Sequence, residues 1–162
     1  MNNIENIKID WRNRNVYRDR KHEHLVKFLV EDKDTAIFDF NKELMVFAAM
    51  VGYCFNVKKH LSSDKIQISL GTYASSEDDG FIYLLALMEQ RDATCLKESH
   101  IQDSIKIFEE YCNGGLDLIN DWFNTSKGRA DLLKLDTLEE KLLEQLNINS
   151  SLGSCSDLDV DF

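Results

Sequence analysis

The chain has 162 residues, of which 43% are hydrophobic and 30% are charged, a composition typical of one soluble globular domain with or without a tail. Its formal net charge of −10 argues against a surface that binds nucleic acid as a whole, because phosphate binding depends on clustered lysine and arginine. No apolar run is long enough to span a bilayer, and the start lacks the pattern of a signal peptide. The cytoplasm is therefore the expected compartment, and no membrane partner is expected.

Residues 1–20 are predicted to form a basic N-terminal arm. Trp11 and Tyr17 lie among arginines there, which is typical either of a solvated leader whose aromatic rings pack on the domain or of a surface that binds nucleic acid. The leader is the favoured interpretation, because most of the chain is acidic. The residues that would contact nucleic acid under the other interpretation are Arg12, Arg14, Arg18, Arg20 and Lys21, together with Lys58 and Lys59 from a later loop.

Residues 21–125 are predicted to form a helical core domain. Glu43 to Tyr53 is apolar on nearly every side, so we expect a central buried helix. Ala48, Ala49 and Gly52 are small enough to let a second helix approach it closely. Phe81 to Gln90 is predicted to be a second buried helix.

One short strand is predicted between these two helices. Ile66, Ile68 and Leu70 alternate with polar residues, which is the period of a half-buried strand. The sequence identifies no partner for this strand, and an extended segment that lies along the helices fits the pattern equally well.

An amphipathic segment from Ile101 to Phe123 follows, and it is interrupted once. Asn113, Gly114 and Gly115 enter the left-handed backbone region at low cost, so the pattern predicts that one helix ends there and that another begins near Leu116. The Gly-Gly pair is thus predicted to be a tight elbow between two helices.

Residues 126–148 are predicted to form an amphipathic C-terminal helix, and residues 149–162 a disordered acidic tail. Leucines recur in the helix at steps of three and four residues, and this stripe can pack either on its own domain or on a partner protein. The residues expected to bind the partner are Leu135, Leu138, Leu142 and Leu146.

Residue types that carry catalysis do not converge in the sequence. The four cysteines include no CxxC pair, and none of the common hydrolase, phosphate-loop or zinc-protease motifs occurs. Glu109 and Glu110 are adjacent on a helix, so their side chains are expected to point about 100° apart and not to face one substrate. No catalytic, cofactor-binding or metal-ligating residue is predicted, and the chain is expected not to be an enzyme.

Two stretches together resemble a known family. The first is Phe38-x5-Leu44-x2-Phe47-Ala48-Ala49-x2-Gly52-Tyr53, and the second is Ile107-Phe108-Glu109-Glu110-Tyr111-Cys112-Asn113-Gly114-Gly115-Leu116. Both are similar to the small proteins called Dnd system-associated protein 4, over roughly Lys21 to Asn124. Those proteins are encoded beside bacterial genes for DNA phosphorothioation and restriction. The resemblance implies an accessory role in a DNA-modification or antiviral defence system, and it carries over no catalytic residue.

We therefore predict a mainly α protein, a compact multi-helix domain with at most one short β element. Its expected function is that of a non-enzymatic adaptor that binds a larger subunit of a defence complex, an ATPase or a nuclease. The alternative is an accessory factor that binds DNA through the basic arm. Self-association into a homo-oligomer stays open.

Overall fold

A computed structural model describes residues 11–126 and 133–153 of the chain. The helices in these ranges are α1 (Glu23–Val26), α2 (Asn41–Cys54), α3 (Leu70–Ala74), α4 (Asp79–Gln90), α5 (Ile101–Thr125) and α6 (Lys134–Gly153), and the strands are β1 (Asn15–Asp19) and β2 (Lys65–Ser69). A π-helical turn, Lys27–Glu31, continues α1, and short 3-10 turns occupy Trp11–Asn13, Arg20–His22, Ala93–Leu96 and Glu98–His100. The predicted fold class, mainly α with one small β element, is confirmed. The chain divides into two compact units, one through Leu116 and one from Asp117.

The predicted strand forms, and its partner comes from the predicted basic arm. β2 pairs with β1 in antiparallel register, with Val16 opposite Ile68 and Tyr17 opposite Gln67. Val16 is fully buried, so the segment from Asn15 is an integral part of the first unit.

The predicted central helix is confirmed as α2, and so is its close approach to another helix. Ala48 and Ala49 are fully buried. A Cβ atom on Gly115 of α5 would lie 1.8 Å from the Ala48 carbonyl oxygen, and one on Gly52 would lie 2.1 Å from the Tyr111 carbonyl oxygen. The backbones of α2 and α5 therefore approach so closely that only small residues fit between them.

The predicted elbow at Gly114 and Gly115 is wrong, because α5 runs without a break from Ile101 to Thr125. No glycine of the described residues adopts a positive φ. Both glycines stay helical because neighbouring backbone occupies the places where side chains would lie: the Val57 carbonyl beside Gly114 and the Ala48 carbonyl beside Gly115. The pair thus serves close packing and does not form a turn.

The prediction of a second buried helix is correct for one face of α4. Ile82, Leu85 and Ala86 are buried, whereas Phe81 and Leu84 are exposed. Phe81 and Leu84 are exposed because α4 packs on one side only, although few of its residues are polar.

In the second unit, α6 extends through Gly153, beyond the predicted end at residue 148. The rest of the predicted tail, residues 154–162, lies outside the described residues, and so do residues 127–132, where the C-terminal helix was expected to begin. None of the helices in the described ranges combines the length and the apolar character that a membrane crossing requires.

Candidate functional site

The two adjacent glutamates of α5 bind different segments of the first unit. The Glu109 Oε1 atom accepts a hydrogen bond of 2.7 Å from the backbone nitrogen of Tyr17, which fastens β1 to α5. The Glu110 carboxylate pairs with His60 Nδ1 at 2.6 Å and with Lys58 Nζ at 3.6 Å. Both glutamates are buried. Their partners are distant from α5 in sequence, so each contact joins α5 to a remote segment of the chain.

Asn113 makes a third such connection from the same helix. Its Nδ2 atom donates to the His60 carbonyl oxygen at 2.9 Å, and its Oδ1 atom lies 3.0 Å from His22 Nε2. Asn113 and His22 are both buried. Satisfied buried polar groups of this kind hold a fold in one arrangement, because breaking one leaves its partner unsatisfied.

Tyr111 connects α5 to α4 and to α2, and the Lys58 ammonium, which also pairs with Glu110, lies 5.2 Å from the centroid of its ring. Its hydroxyl donates to the Glu89 carboxylate at 2.5 Å, and its ring meets the edge of Tyr53 with centroids 5.5 Å apart. Burial, reinforced by this hydrogen bond, raises the pKa of Tyr111 well above its usual range. The polar residues of the segment that carries the family resemblance thus have structural roles, and they connect α5 to β1, to α4 and to the loop after α2.

A cavity of about 330 Å³ opens beside these contacts. Charged groups of both signs and one aromatic ring line it: Tyr17, His60, Lys65, Lys106, Glu109 and Glu110 are among the lining residues. Glu109 and Glu110, which were expected not to face one substrate, both line this cavity. The cavity is wide enough for two side chains that diverge along the helix to border the same space.

Burial raises the pKa of Glu109 to about 7. The Tyr17 amide and the nearby charge of Lys65 oppose this rise, and the charge of Glu110 adds to it. The amide and lysine contributions are smaller than the cost of removing the carboxylate from water. Glu109 consequently changes protonation near neutral pH while it borders an open cavity.

The predicted nucleic-acid-binding residues do not form one uniform group. Arg18 is buried and donates to the Glu23 carboxylate at 2.7 Å, and Arg20 pairs with Asp64 at 2.8 Å. Arg14 donates to Gln102 and Lys58 pairs with Glu89. The exposed members of the set are Arg12, Arg20, Lys21, Lys58 and Lys59, whereas Arg14 is half-buried.

The predicted partner-binding leucines of α6 differ in exposure. Leu135 is 52% exposed and Leu146 is 63% exposed, Leu142 is half-buried, and Leu138 is only 3% exposed. The second unit also exposes three apolar residues that were not predicted to bind a partner: Leu133, Leu143 and Ile148. They lie outside the leucine stripe that recurs at steps of three and four residues.

The cavity was not predicted from the sequence either, although the sequence did single out two of its lining residues. Glu109 and Glu110 stand in the segment that carries the family resemblance, but Tyr17 and Lys65 join them only through the pairing of β1 with β2. Among the described residues, no group of three or more histidines, cysteines, aspartates or glutamates is placed to hold a metal ion.

These features define a small, mainly helical protein with one two-stranded sheet and a cavity of mixed charge. The chain belongs to the family described as DNA sulphur modification system-associated protein 4, whose model matches residues 15–151. The match begins at the first residue of β1 and ends within α6, so it extends beyond the segment that carries the resemblance at both ends. No curated protein and no solved structure matches the chain. The protein is thus associated with a DNA sulphur modification system.

Proposed function

We propose that the chain is a non-enzymatic accessory subunit that binds a larger protein of the DNA sulphur modification system through α6. The observation that supports this proposal is the exposure of leucine side chains along one helix of a family member. Apolar surface gains about 25 cal/mol per Å² when it leaves water, before the costs of association are subtracted. Leucines that stay exposed within the chain can gain this energy in a complex.

The spacing of the exposed leucines defines one face of α6. Leu135, Leu142 and Leu146 follow one another at seven and then four residues, which places them on the same side of a helix, and Leu143 lies beside them. Glu139 is exposed next to this face, and Glu144 pairs with Lys141 nearby. An apolar groove with a basic rim is the complementary surface, so this is the partner chemistry that we propose.

The alternative, direct binding of DNA, has weaker support. Arg18 is buried and would have to leave its ion pair with Glu23 before it could reach a phosphate, and Arg20 and Lys58 are already paired with carboxylates. The observation that favours this function is that five members of the set are exposed: Arg12, Arg20, Lys21, Lys58 and Lys59. Affinity for DNA that falls steeply with salt, and falls further when Arg12 and Lys21 are replaced by alanine, would favour it over the adaptor.

The test is capture of a partner from lysate of the host, followed by binding of the purified components. Leu135→Asp with Leu146→Asp should abolish binding of the larger subunit, because aspartate in the groove would lose its hydration. The matched control is Leu84→Asp with Leu96→Asp, which changes two exposed leucines of the first unit and should bind normally. Circular dichroism would check that both variants fold.

Two results would contradict the proposal. One is that the α6 variant and the control bind the purified subunit equally well. The other is that neither the unaltered chain nor the control captures any protein of the system, while both retain DNA in a manner that depends on salt.

A further inference from the structure

We propose that the cavity beside β1 and α5 binds the guanidinium or ammonium group of an arginine or lysine side chain presented by a peptide segment of another protein. The cavity is lined by residues of the first unit alone, so the proposal does not depend on α6. A test of it can therefore fail without affecting the proposed function, and the reverse is also true.

The acidic groups that would receive the cation are buried in the cavity wall. Glu109 is 9% exposed and Glu110 is 7% exposed. Glu110 already has cationic neighbours in His60 and Lys58, whereas Glu109 forms no salt bridge among the described residues. One of its carboxyl oxygens accepts from the Tyr17 amide, so the group is held in place at the cavity, where the nearby charge of Lys65 offsets only part of the cost of burial.

The electrostatics agree with this geometry. Burial raises the pKa of Glu109 to about 7, and a cation placed against the carboxylate would reverse part of that rise. The titratable groups that the structure places near Glu109 come from several elements: Lys65 from β2, Tyr73 from α3, Glu110 and Cys112 from α5, and His60, Asp103 and Lys106 from the cavity lining.

The size and the walls of the cavity favour a side chain over a bare ion. A volume of about 330 Å³ exceeds the space that one ion needs, and Tyr17 and Leu61 offer apolar surface for an alkyl stem. The described residues provide no set of three metal ligands. The net charge of −10 attracts cations toward the protein from solution.

Lys65 and Lys106 decide the source of the cation. Both line the cavity, and the Lys65 ammonium lies 4.3 Å from the centroid of the Tyr17 ring. A ligand that carries only positive charge would be repelled by these two lysines. A peptide presents carbonyl oxygens beside its basic side chain, and these oxygens can accept hydrogen bonds from the lysines. This argument favours an arginine or lysine within a polypeptide over a free polyamine.

The first experiment is an NMR titration of the full chain with Nα-acetyl-arginine N-methylamide. Its matched control ligand is the citrulline derivative, which keeps the shape and loses the charge. The arginine derivative should shift the amide signals of Tyr17 and His60 and bind at least about tenfold more tightly than the citrulline derivative. Its affinity should rise about tenfold between roughly pH 6 and pH 8, because the ionised fraction of Glu109 rises over that interval.

Variants locate the binding to Glu109. Glu109→Gln should remove the difference between the two ligands, whereas Glu98→Gln, which changes the same charge at an exposed site, should leave it unchanged. Lys106→Glu, at an exposed position of α5, should shift the preference from the arginine derivative toward spermidine, because it removes a lysine that repels a purely cationic ligand and can donate to a peptide carbonyl. This variant supplies a test even if Glu109→Gln fails to fold. Equal binding of arginine and citrulline derivatives would overturn the proposal. So would tighter binding of spermidine, or of inorganic phosphate, at the same amide signals.

Discussion

The first turns of α5 and the described part of α6 carry similar apolar stripes but bury them to different extents. In α5, Ile101, Ile105 and Phe108 are fully or almost fully buried, and the polar residues between them reach other segments of the first unit. In α6, Leu135 and Leu146 remain exposed. Helical spacing of leucine and isoleucine therefore indicates a helix but does not indicate what covers it, and the exposed stripe is the one that we propose binds a partner.

The largest expected effect concerns the crossing of α2 and α5. Gly115→Ala should lower the free energy of unfolding by about 4 kcal/mol or prevent folding, because overpacking against backbone cannot be relieved by a rotamer change. The new Cβ would collide with the carbonyl of Ala48. Urea unfolding of the variant would measure the loss.

Gly80→Ala is the matched control for this substitution. Gly80 is also helical, but a Cβ there meets no atom within 4 Å. The variant should gain roughly 0.5 to 1 kcal/mol, because alanine favours a helix more than glycine does. If Gly115→Ala were as stable as Gly80→Ala, the close approach of the two helices would be disproved.

The polar contacts of α5 should be the next most sensitive feature. Asn113→Ala should cost roughly 2 to 3 kcal/mol, since it removes buried hydrogen bonds to the His22 ring and to the His60 carbonyl. Asn124→Ala, at an exposed position of the same helix, should change stability by less than about 0.5 kcal/mol. Equal losses in thermal unfolding for the two variants would argue against an internal role for Asn113.

Glu109 should make stability depend on pH in an unusual direction. The pKa in the folded chain is about 7 and exceeds the ordinary value of 4.5, so the folded state binds the proton more tightly than the unfolded state does. Its contribution to stability is fully present below pH 4.5 and is lost as the pH rises through 7. After a discount for partial solvent screening, the loss should be about 2 kcal/mol. Glu109→Gln should remove this loss in urea unfolding at a series of pH values, and an unchanged pH profile would contradict the raised pKa.

The smallest expected effect on stability concerns the exposed face of α6. Leu146→Ala should lower the free energy of unfolding by less than about 0.5 kcal/mol, because its side chain is already in water. Leu138→Ala, in the same helix, should cost roughly 2 to 4 kcal/mol, because Leu138 is buried. Comparison of the two melting temperatures tests this, and a large loss for Leu146→Ala would mean that the residue supports the fold instead of binding a partner.

The sequence was informative where local pattern decides the structure. The alternation around Ile66 and Ile68 predicted β2, and the small residues of α2 predicted the close helix approach. It was uninformative where the outcome depends on distant neighbours. Gly114 and Gly115 stay helical because of backbone that lies elsewhere in the chain.

The same limit applies to β1 and to the cavity. β1 contains Arg18 and Asp19, which suggested an exposed arm. Both are buried, because Arg18 meets Glu23 and Asp19 accepts from the backbone of Ser62. The cavity requires β1, β2 and α5 together, so no stretch of sequence by itself could predict it.

The hydrogen bond between the Tyr17 amide and Glu109 joins residues 92 positions apart. A contact of such long range closes a large loop, and loop closure of this kind slows folding. On the ribosome, β1 emerges before β2 and long before α5. It cannot form its native contacts until both of these segments have been synthesised. Although β1 emerges before β2 and α5, it is therefore expected to be among the last segments of the first unit to reach its native place.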